Sequence, residues 1–181
     1  MQILVLYSTS EGHTAKIANR FAEVFENLGH QVFLTATSDP GYCDPGTFDA
    51  AVLCAPIHMG QYPSDFVQYI SDWKSALSGV PTALVTSSLF IVCSEEDAQM
   101  KAKGYPDELS ARTGWKPDCV YNVAGSLNYP QYDFFKLWMM KWAAKSEEWP
   151  TDTDSEHIFT DWNELSAYAN DFLKTANADA A

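Results

Sequence analysis

A hydroxyl-rich turn follows the first apolar run of the chain. Residues 8–14 read Ser-Thr-Ser-Glu-Gly-His-Thr, with four hydroxyls and one glycine in seven positions. A helix is predicted from His13, and the free N–H groups and dipole of a helix N-terminus suit an anion. Neither G-x-x-x-x-G-K nor G-x-G-x-x-G is present, which excludes a Walker A loop and a dinucleotide fingerprint. The turn therefore predicts a site for one phosphate group, formed by Ser8, Thr9, Ser10, Glu11, Gly12, His13 and Thr14.

Simpler roles for these residues stay open. The hydroxyls can cap a helix without binding any ligand. The His13 ring is expected to face solvent, as a residue of the first helical turn. Glu11 would offer its backbone N–H to a phosphate rather than its carboxylate, because two anions repel each other.

Short apolar runs alternate with amphipathic segments along the chain. The runs predict strands at residues 3–7, 31–36, 48–57, 80–87 and 119–125. Apolar residues three and four positions apart predict helices at 13–28, 62–77, 95–112 and 160–175. The third helix is interrupted at residues 104–106, so it is one helix or two pieces. The alternation predicts an α/β fold with a doubly wound five-stranded parallel sheet, in the strand order 2-1-3-4-5.

One long connection stands out within this predicted single domain of residues 1–175. Residues 126–159 lie between the fifth strand and the last helix, and connections of this length are usually functional. We call this segment the insertion. Residues 176–181 are expected to be a frayed tail.

Composition excludes several classes of protein. Of 181 residues, 46% are apolar and 19% are charged, which supports a packed core and excludes a disordered chain. The formal net charge of −13 disfavours nucleic acid as a partner and predicts weak or no membrane association. The four cysteines form no C-x-x-C pair, which disfavours a metal site. With neither a signal peptide nor an apolar run of ~20 residues, we expect a cytoplasmic protein, at most peripheral to the inner face of the membrane.

The turn at residues 8–14, set in this alternation, resembles the FMN-phosphate loop of flavodoxins. Further segments make the resemblance more specific than to flavodoxins in general. They lie at residues 55–62, 115–118, 124–130, 151–153 and 159–162. Together they resemble the flavodoxin-type, menaquinone-dependent protoporphyrinogen oxidases over nearly the whole chain. The Gly-Ser-Leu-Asn-Tyr-Pro and Thr-Asp-Trp segments are the ones that point to this family.

The resemblance implies a flavodoxin-like fold and non-covalently bound FMN. It implies oxidation of a tetrapyrrole, protoporphyrinogen, in heme biosynthesis, with electrons passed to a quinone. Two alternatives stay open. The acidic composition favours a flavodoxin-type electron carrier, because such carriers dock on basic redox proteins. The other alternative is an FMN-dependent quinone reductase.

The resemblance also assigns two loops to the flavin ring. Backbone N–H groups of the first loop would meet the ring, and His58 either lies at its edge or is an exposed loop histidine. Phe90 or Tyr62 either stacks on the ring or belongs to the core. The predicted contacts of the two loops are Pro56, Ile57, His58, Met59, Gly60, Ser87, Ser88, Leu89 and Phe90.

The insertion carries a candidate substrate surface. If residues 134–142 form a helix, Phe134, Trp138 and Trp142 lie on one stripe, with lysines among them. Such a stripe either packs on the domain or docks a flat anionic ligand or a lipid headgroup. The predicted substrate or quinone contacts are Tyr62, Phe134, Trp138, Lys141 and Trp142.

Overall fold

A five-stranded parallel sheet forms the centre of the molecule. The structure, a computed structural model, describes residues 1–39, 43–92, 96–128 and 156–179. The strand order β2-β1-β3-β4-β5 confirms the predicted fold class. Because neighbouring strands are all parallel, their carboxyl ends share one edge. The strands are β1 Gln2–Tyr7, β2 Gln31–Ala36, β3 Ala50–Pro56, β4 Thr82–Ser88 and β5 Cys119–Ala124.

Helices cover both faces of this sheet. They are α1 His13–Asn27, α2 Ser64–Leu77, α3 Glu96–Thr113 and α4 Trp162–Asp179. One apolar cluster joins α1 and α4 to the sheet, and it includes Phe21 and Phe172. The cluster on the opposite face includes Phe66 of α2 and Leu109 of α3. This layering explains the continuous apolar runs of the central strands, since strands covered on both faces need apolar residues at successive positions.

Helix α3 is one helix rather than two pieces. Both Gly104 and Pro106 lie inside it. Pro106 has no N–H to donate to the carbonyl of Ala102, so the helix loses one hydrogen bond at this point. The exposed fractions of Ala102, Tyr105 and Leu109 are each 2% or less. Their burial against the domain holds the helix together across the missing hydrogen bond.

The C-terminal ends of α1 and α4 differ from the prediction. Helix α1 ends at Asn27, one residue before the predicted end, and the side chain of Leu28 is 53% exposed. Helix α4 continues to Asp179, past the predicted start of the frayed tail at residue 176. Ala176 is 1% exposed and belongs to the core cluster of α1 and α4, which explains why the helix does not end before it.

A two-stranded ribbon that was not predicted marks both ends of the insertion. Strand β6, Ser126–Asn128, pairs antiparallel with β7, Glu156–Ile158. The N–H of Phe159 donates to the carbonyl of Gly125 at 3.2 Å and closes the base of the ribbon. The chain therefore leaves the sheet and returns to it at one place, directly after β5.

Candidate functional site

The turn between β1 and α1 has the backbone of an anion cradle. Gly12 has φ +86, in the left-handed region that favours glycine, and a Cβ built on it would meet no atom within 4 Å. Among the described residues, no side chain caps the N-terminus of α1. The uncapped start of a helix beside open space fits one phosphate group.

Two of the predicted phosphate ligands hold the turn in shape. The N–H of Ser8 donates to the carbonyl of Cys54 at 3.0 Å, and its hydroxyl donates to Asp65 Oδ2 at 3.1 Å. The Thr9 hydroxyl accepts a hydrogen bond from the N–H of Gly12 at 2.9 Å. The N–H and the hydroxyl of Ser8 therefore both donate to other groups of the protein. Thr9 holds the backbone of Gly12 in place.

The remaining hydroxyls of the turn have different surroundings. Ser10 is exposed, and Glu11 is half-buried. Thr14 is only 3% exposed, and within the described ranges its hydroxyl has no hydrogen-bond partner. A hydroxyl of this kind, on a largely buried residue in the first turn of α1, is well placed to meet an anion at the cradle.

Asp65 is a candidate site residue that the sequence did not reveal. It lies in the first turn of α2 and accepts hydrogen bonds from the hydroxyls of Ser8 and Thr37 through the same oxygen. Thr37 follows β2 directly, so this carboxylate ties together the ends of two neighbouring strands. The sequence offers one local sign of this role, because Asp65 is an acidic residue in the first turn of a predicted helix that begins at the carboxyl edge of the sheet.

His13 does not face solvent. Its ring is 6% exposed, and its Nε2 lies 2.7 Å from Thr160 Oγ1. The ring centroid lies 6.1 Å from that of Trp162. The expectation failed because α4 packs beside α1 and covers the first turn of α1 with the residues that precede and begin α4.

The loop after β3 forms a tight turn at the same edge. His58 and Gln61 exchange two backbone hydrogen bonds, of 2.9 and 3.0 Å. Met59 (φ 50) and Gly60 (φ 78) lie between them, both in the left-handed region, as a type I′ turn requires. The N–H of Ile57 donates to the carbonyl of Ser87 at 2.8 Å and joins this loop to the end of β4. The exposed fraction of Met59 is 81%, so the turn projects its tip into open space.

Tyr62 packs against the core of the domain, and the loop after β4 forms a short helical turn. The Tyr62 hydroxyl lies 2.7 Å from Thr86 Oγ1, and its ring stacks on Phe66 with centroids 5.9 Å apart. Burial raises the pKa of Tyr62. Ser88 Oγ accepts from the N–H of Phe90 at 3.2 Å, at the start of a 3₁₀ turn over Leu89–Val92. These contacts match the core alternative for Tyr62.

A cavity of about 80 Å³ lies behind the turn at Met59 and Gly60. It is lined by residues that include Gly60, Tyr62, Tyr105, Glu108 and Arg112. The Tyr105 hydroxyl is buried without a hydrogen-bond partner among the residues that the structure describes. It lies 3.6 Å from the position that a Cβ on Gly60 would take. A cavity of this size, lined in part by polar side chains, can hold ordered water within reach of this hydroxyl.

The aromatic stripe of the insertion lies outside the described residues. This applies to Phe134, Trp138, Lys141 and Trp142. Within the described ranges, no helix combines the length and hydropathy needed to cross a membrane. The same ranges contain no group of three His, Cys, Asp or Glu side chains placed to hold a metal ion.

Comparison with known proteins gives relatives over nearly the full length. The chain is 28% identical over 171 residues to protoporphyrinogen IX dehydrogenase [quinone] of Escherichia coli strain K12, covering 94% of each chain. Oxidised flavodoxin 1 of Bacillus cereus is similar in structure, with a TM-score of 0.59 and 14% identity over 96% of this chain and 98% of that one.

A flavodoxin of Fusobacterium nucleatum, crystallised as a mutant with FMN bound, has a TM-score of 0.53. It is 12% identical, over 98% of this chain and 96% of that one. The flavodoxin domain model matches residues 4–154, from β1 into the insertion. The strand order, the turn after β1 and this match agree, and the chain belongs to the flavodoxin domain family.

Proposed function

We propose that the protein is an FMN-dependent oxidoreductase that dehydrogenates protoporphyrinogen or a closely related tetrapyrrole and passes the electrons to a quinone. The observation that carries this proposal is the similarity to the E. coli dehydrogenase over 94% of both chains. An alignment of this length takes in the insertion as well as the sheet. In this proposal the reaction is a step of heme biosynthesis in the cytoplasm.

The cradle at the start of α1 supports FMN as the cofactor. A flavin mononucleotide ends in one phosphate, and the turn offers one uncapped helix N-terminus beside Gly12. Thr14 would donate its hydroxyl to a phosphate oxygen. Ser8, Thr9 and Asp65 would act behind it by holding the turn in shape.

The two loops at the carboxyl edge would hold the ring. The turn at residues 57–61 follows β3, and the segment 87–90 includes the end of the neighbouring strand β4. The hydrogen bond from Ile57 to Ser87 joins the two. Bound FMN would supply the two-electron chemistry, and the protein would supply binding and orientation. Met59 at the exposed tip of the turn would cover one side of the ring and limit the access of water.

An electron carrier is the second candidate function. The formal net charge of −13 favours it, because an acidic surface docks on basic redox proteins. A carrier and a dehydrogenase would share the cofactor and the fold, so neither FMN nor the sheet distinguishes them. Turnover of a tetrapyrrole does.

The test is steady-state oxidation of protoporphyrinogen by the purified holoprotein under anaerobic conditions, with and without a menaquinone analogue. We expect porphyrin to form at a rate proportional to protein, and only when the quinone is present. The apoprotein and a protein-free mixture are the controls. A yellow protein that releases FMN on heating but forms no porphyrin above these controls would be the carrier instead.

A further inference from the structure

The base of the insertion is hydrogen-bonded to the chain at the end of β5, the strand from which the insertion starts. The ribbon of β6 and β7 closes through the bond from Phe159 to Gly125. The next residue, Thr160, lies 2.6 Å through its Oγ1 from the carbonyl of Ala124, the last residue of β5. The start of the ribbon and its return are therefore joined at one point.

Thr160 also contacts the first residue of α1. A threonine hydroxyl has one proton, and a backbone carbonyl can only accept, so this proton goes to Ala124. His13 Nε2, at 2.7 Å, must then be the donor to Thr160 Oγ1. The relay from His13 through Thr160 to Ala124 fixes the proton of His13 on Nε2. With His13 6% and Thr160 8% exposed, water competes little for these bonds.

The relay connects two functional parts of the chain. His13 follows Gly12 directly, so its backbone belongs to the anion cradle while its side chain is held from the base of the insertion. We propose that Thr160 and His13 are positioning residues that couple phosphate binding at the cradle to the position of the β6–β7 ribbon. This proposal rests on FMN binding as proposed above. A phosphate that favours one arrangement of the cradle favours the matching arrangement of the ribbon, and the coupling is reciprocal.

Two ligands and two substitutions at Thr160 test the coupling. Thr160→Val keeps the shape of the side chain and removes the relay, whereas Thr160→Ser keeps a hydroxyl. We expect the Kd for FMN to rise about tenfold in Thr160→Val, equivalent to about 1.4 kcal/mol, and to stay near that of the unsubstituted protein in Thr160→Ser. Riboflavin lacks the phosphate, so its Kd should change little in either variant. Thr113→Val is the matched control, because Thr113 is 6% exposed and its hydroxyl bonds to Leu109 at the far end of α3.

Hydrogen exchange of the unsubstituted apoprotein gives a second readout that needs no variant. Adding FMN should slow exchange at the backbone N–H groups of β6 and β7, and adding riboflavin should not. Equal weakening of FMN and riboflavin by Thr160→Val would show a structural role only, and would overturn the coupling. Unchanged FMN affinity in that variant, or ribbon exchange indifferent to FMN, would also overturn it. Failure of the unsubstituted protein to bind FMN would overturn the proposed function as well.

Discussion

Among single residues, two glycines should respond to the same substitution with opposite changes in stability. Gly12 has φ +86, and Gly104 lies within helix α3; neither would bring a Cβ within 4 Å of another atom. Gly12→Ala forces an L-residue into the left-handed region, which costs about 1–2 kcal/mol of unfolding free energy. Gly104→Ala improves helix propensity and should add about 0.5–1 kcal/mol. Urea unfolding of both variants checks the two signs, and a stabilised Gly12→Ala protein would contradict the strained turn.

Thr14 carries the second prediction at this scale. Thr14 is 3% exposed in the first turn of α1, and Thr14→Val removes its hydroxyl with little change in shape. Losing one hydrogen bond to a charged group should weaken FMN by about 1–3 kcal/mol. Riboflavin should bind Thr14→Val and the unsubstituted protein equally well. Fluorescence titration of both apoproteins measures the two affinities, and equal losses for the two ligands would contradict a phosphate contact.

Residue types identified the turn at the cradle, but not the partners of its side chains. Hydroxyls and a glycine after an apolar run mark a strand–helix junction, so residues 8–14 were recognisable locally. Ser8 bonds to a residue 57 positions away, and His13 to one 147 positions away. Local spacing cannot identify pairs at such separations. Burial of His13 and the role of Asp65 therefore needed the tertiary structure.

Among the secondary-structure elements, the sequence pattern predicted the long strands and helices but not the short strands β6 and β7. All five strands of the main sheet were predicted, and the central strands β1, β3 and β4 are the clearest, because strands covered on both faces carry runs of buried, mostly apolar residues. Strands β6 and β7 have three residues each, too few for an alternating pattern to show. Their pairing depends on the return of the chain at Phe159 and Thr160, which no local pattern predicts.

Removing residues 131–148 tests the role of the insertion. A short Gly-Ser linker would join the two sides and leave β6, β7 and Thr160 in place. FMN affinity should be unchanged, because the cradle and both ring loops lie outside the deleted segment. Porphyrinogen oxidation should be lost. Absorbance titration with FMN and the steady-state assay measure the two effects, and continued turnover would show that the substrate site lies elsewhere.

At the scale of the whole molecule, buried tyrosines predict loss of stability at high pH. Tyr69 is fully buried, and that burial, with smaller contributions from Cys43 and Asp44, raises the pKa of Tyr69. Above pH ~10 the unfolded chain loses a proton that the folded protein retains. The free energy of unfolding should then fall by about 1.4 kcal/mol per pH unit for each such group.

The variant Tyr69→Phe tests this. It should be less stable at pH 7, since it loses the hydrogen bond to the carbonyl of Cys43, but its free energy of unfolding should fall less steeply above pH 10. An identical decline in urea unfolding would contradict this.

The net charge of −13 predicts that salt stabilises the fold. Acidic residues outnumber basic ones by 24 to 11, and self-repulsion of like charges destabilises a compact state. The ion pairs of Arg20 with Glu23 and of Lys174 with Asp171 are exposed neighbours on single helices, and such pairs offset little of it. Raising NaCl from 10 to 200 mM shortens the screening length from about 30 Å to less than 10 Å. The unfolding free energy should therefore rise, on the order of 1 kcal/mol.

A matched variant separates screening from general salt effects. Glu26 and Asp107 are exposed, and replacing them as Glu26→Gln and Asp107→Asn changes the net charge from −13 to −11 while keeping side-chain shape. This double variant should gain stability at 10 mM NaCl and respond less to added salt than the unsubstituted protein. Thermal unfolding across the salt series measures both slopes. If the two proteins responded equally, or if salt lowered the midpoint of either one, repulsion between the surface carboxylates would not be what limits the stability of this fold.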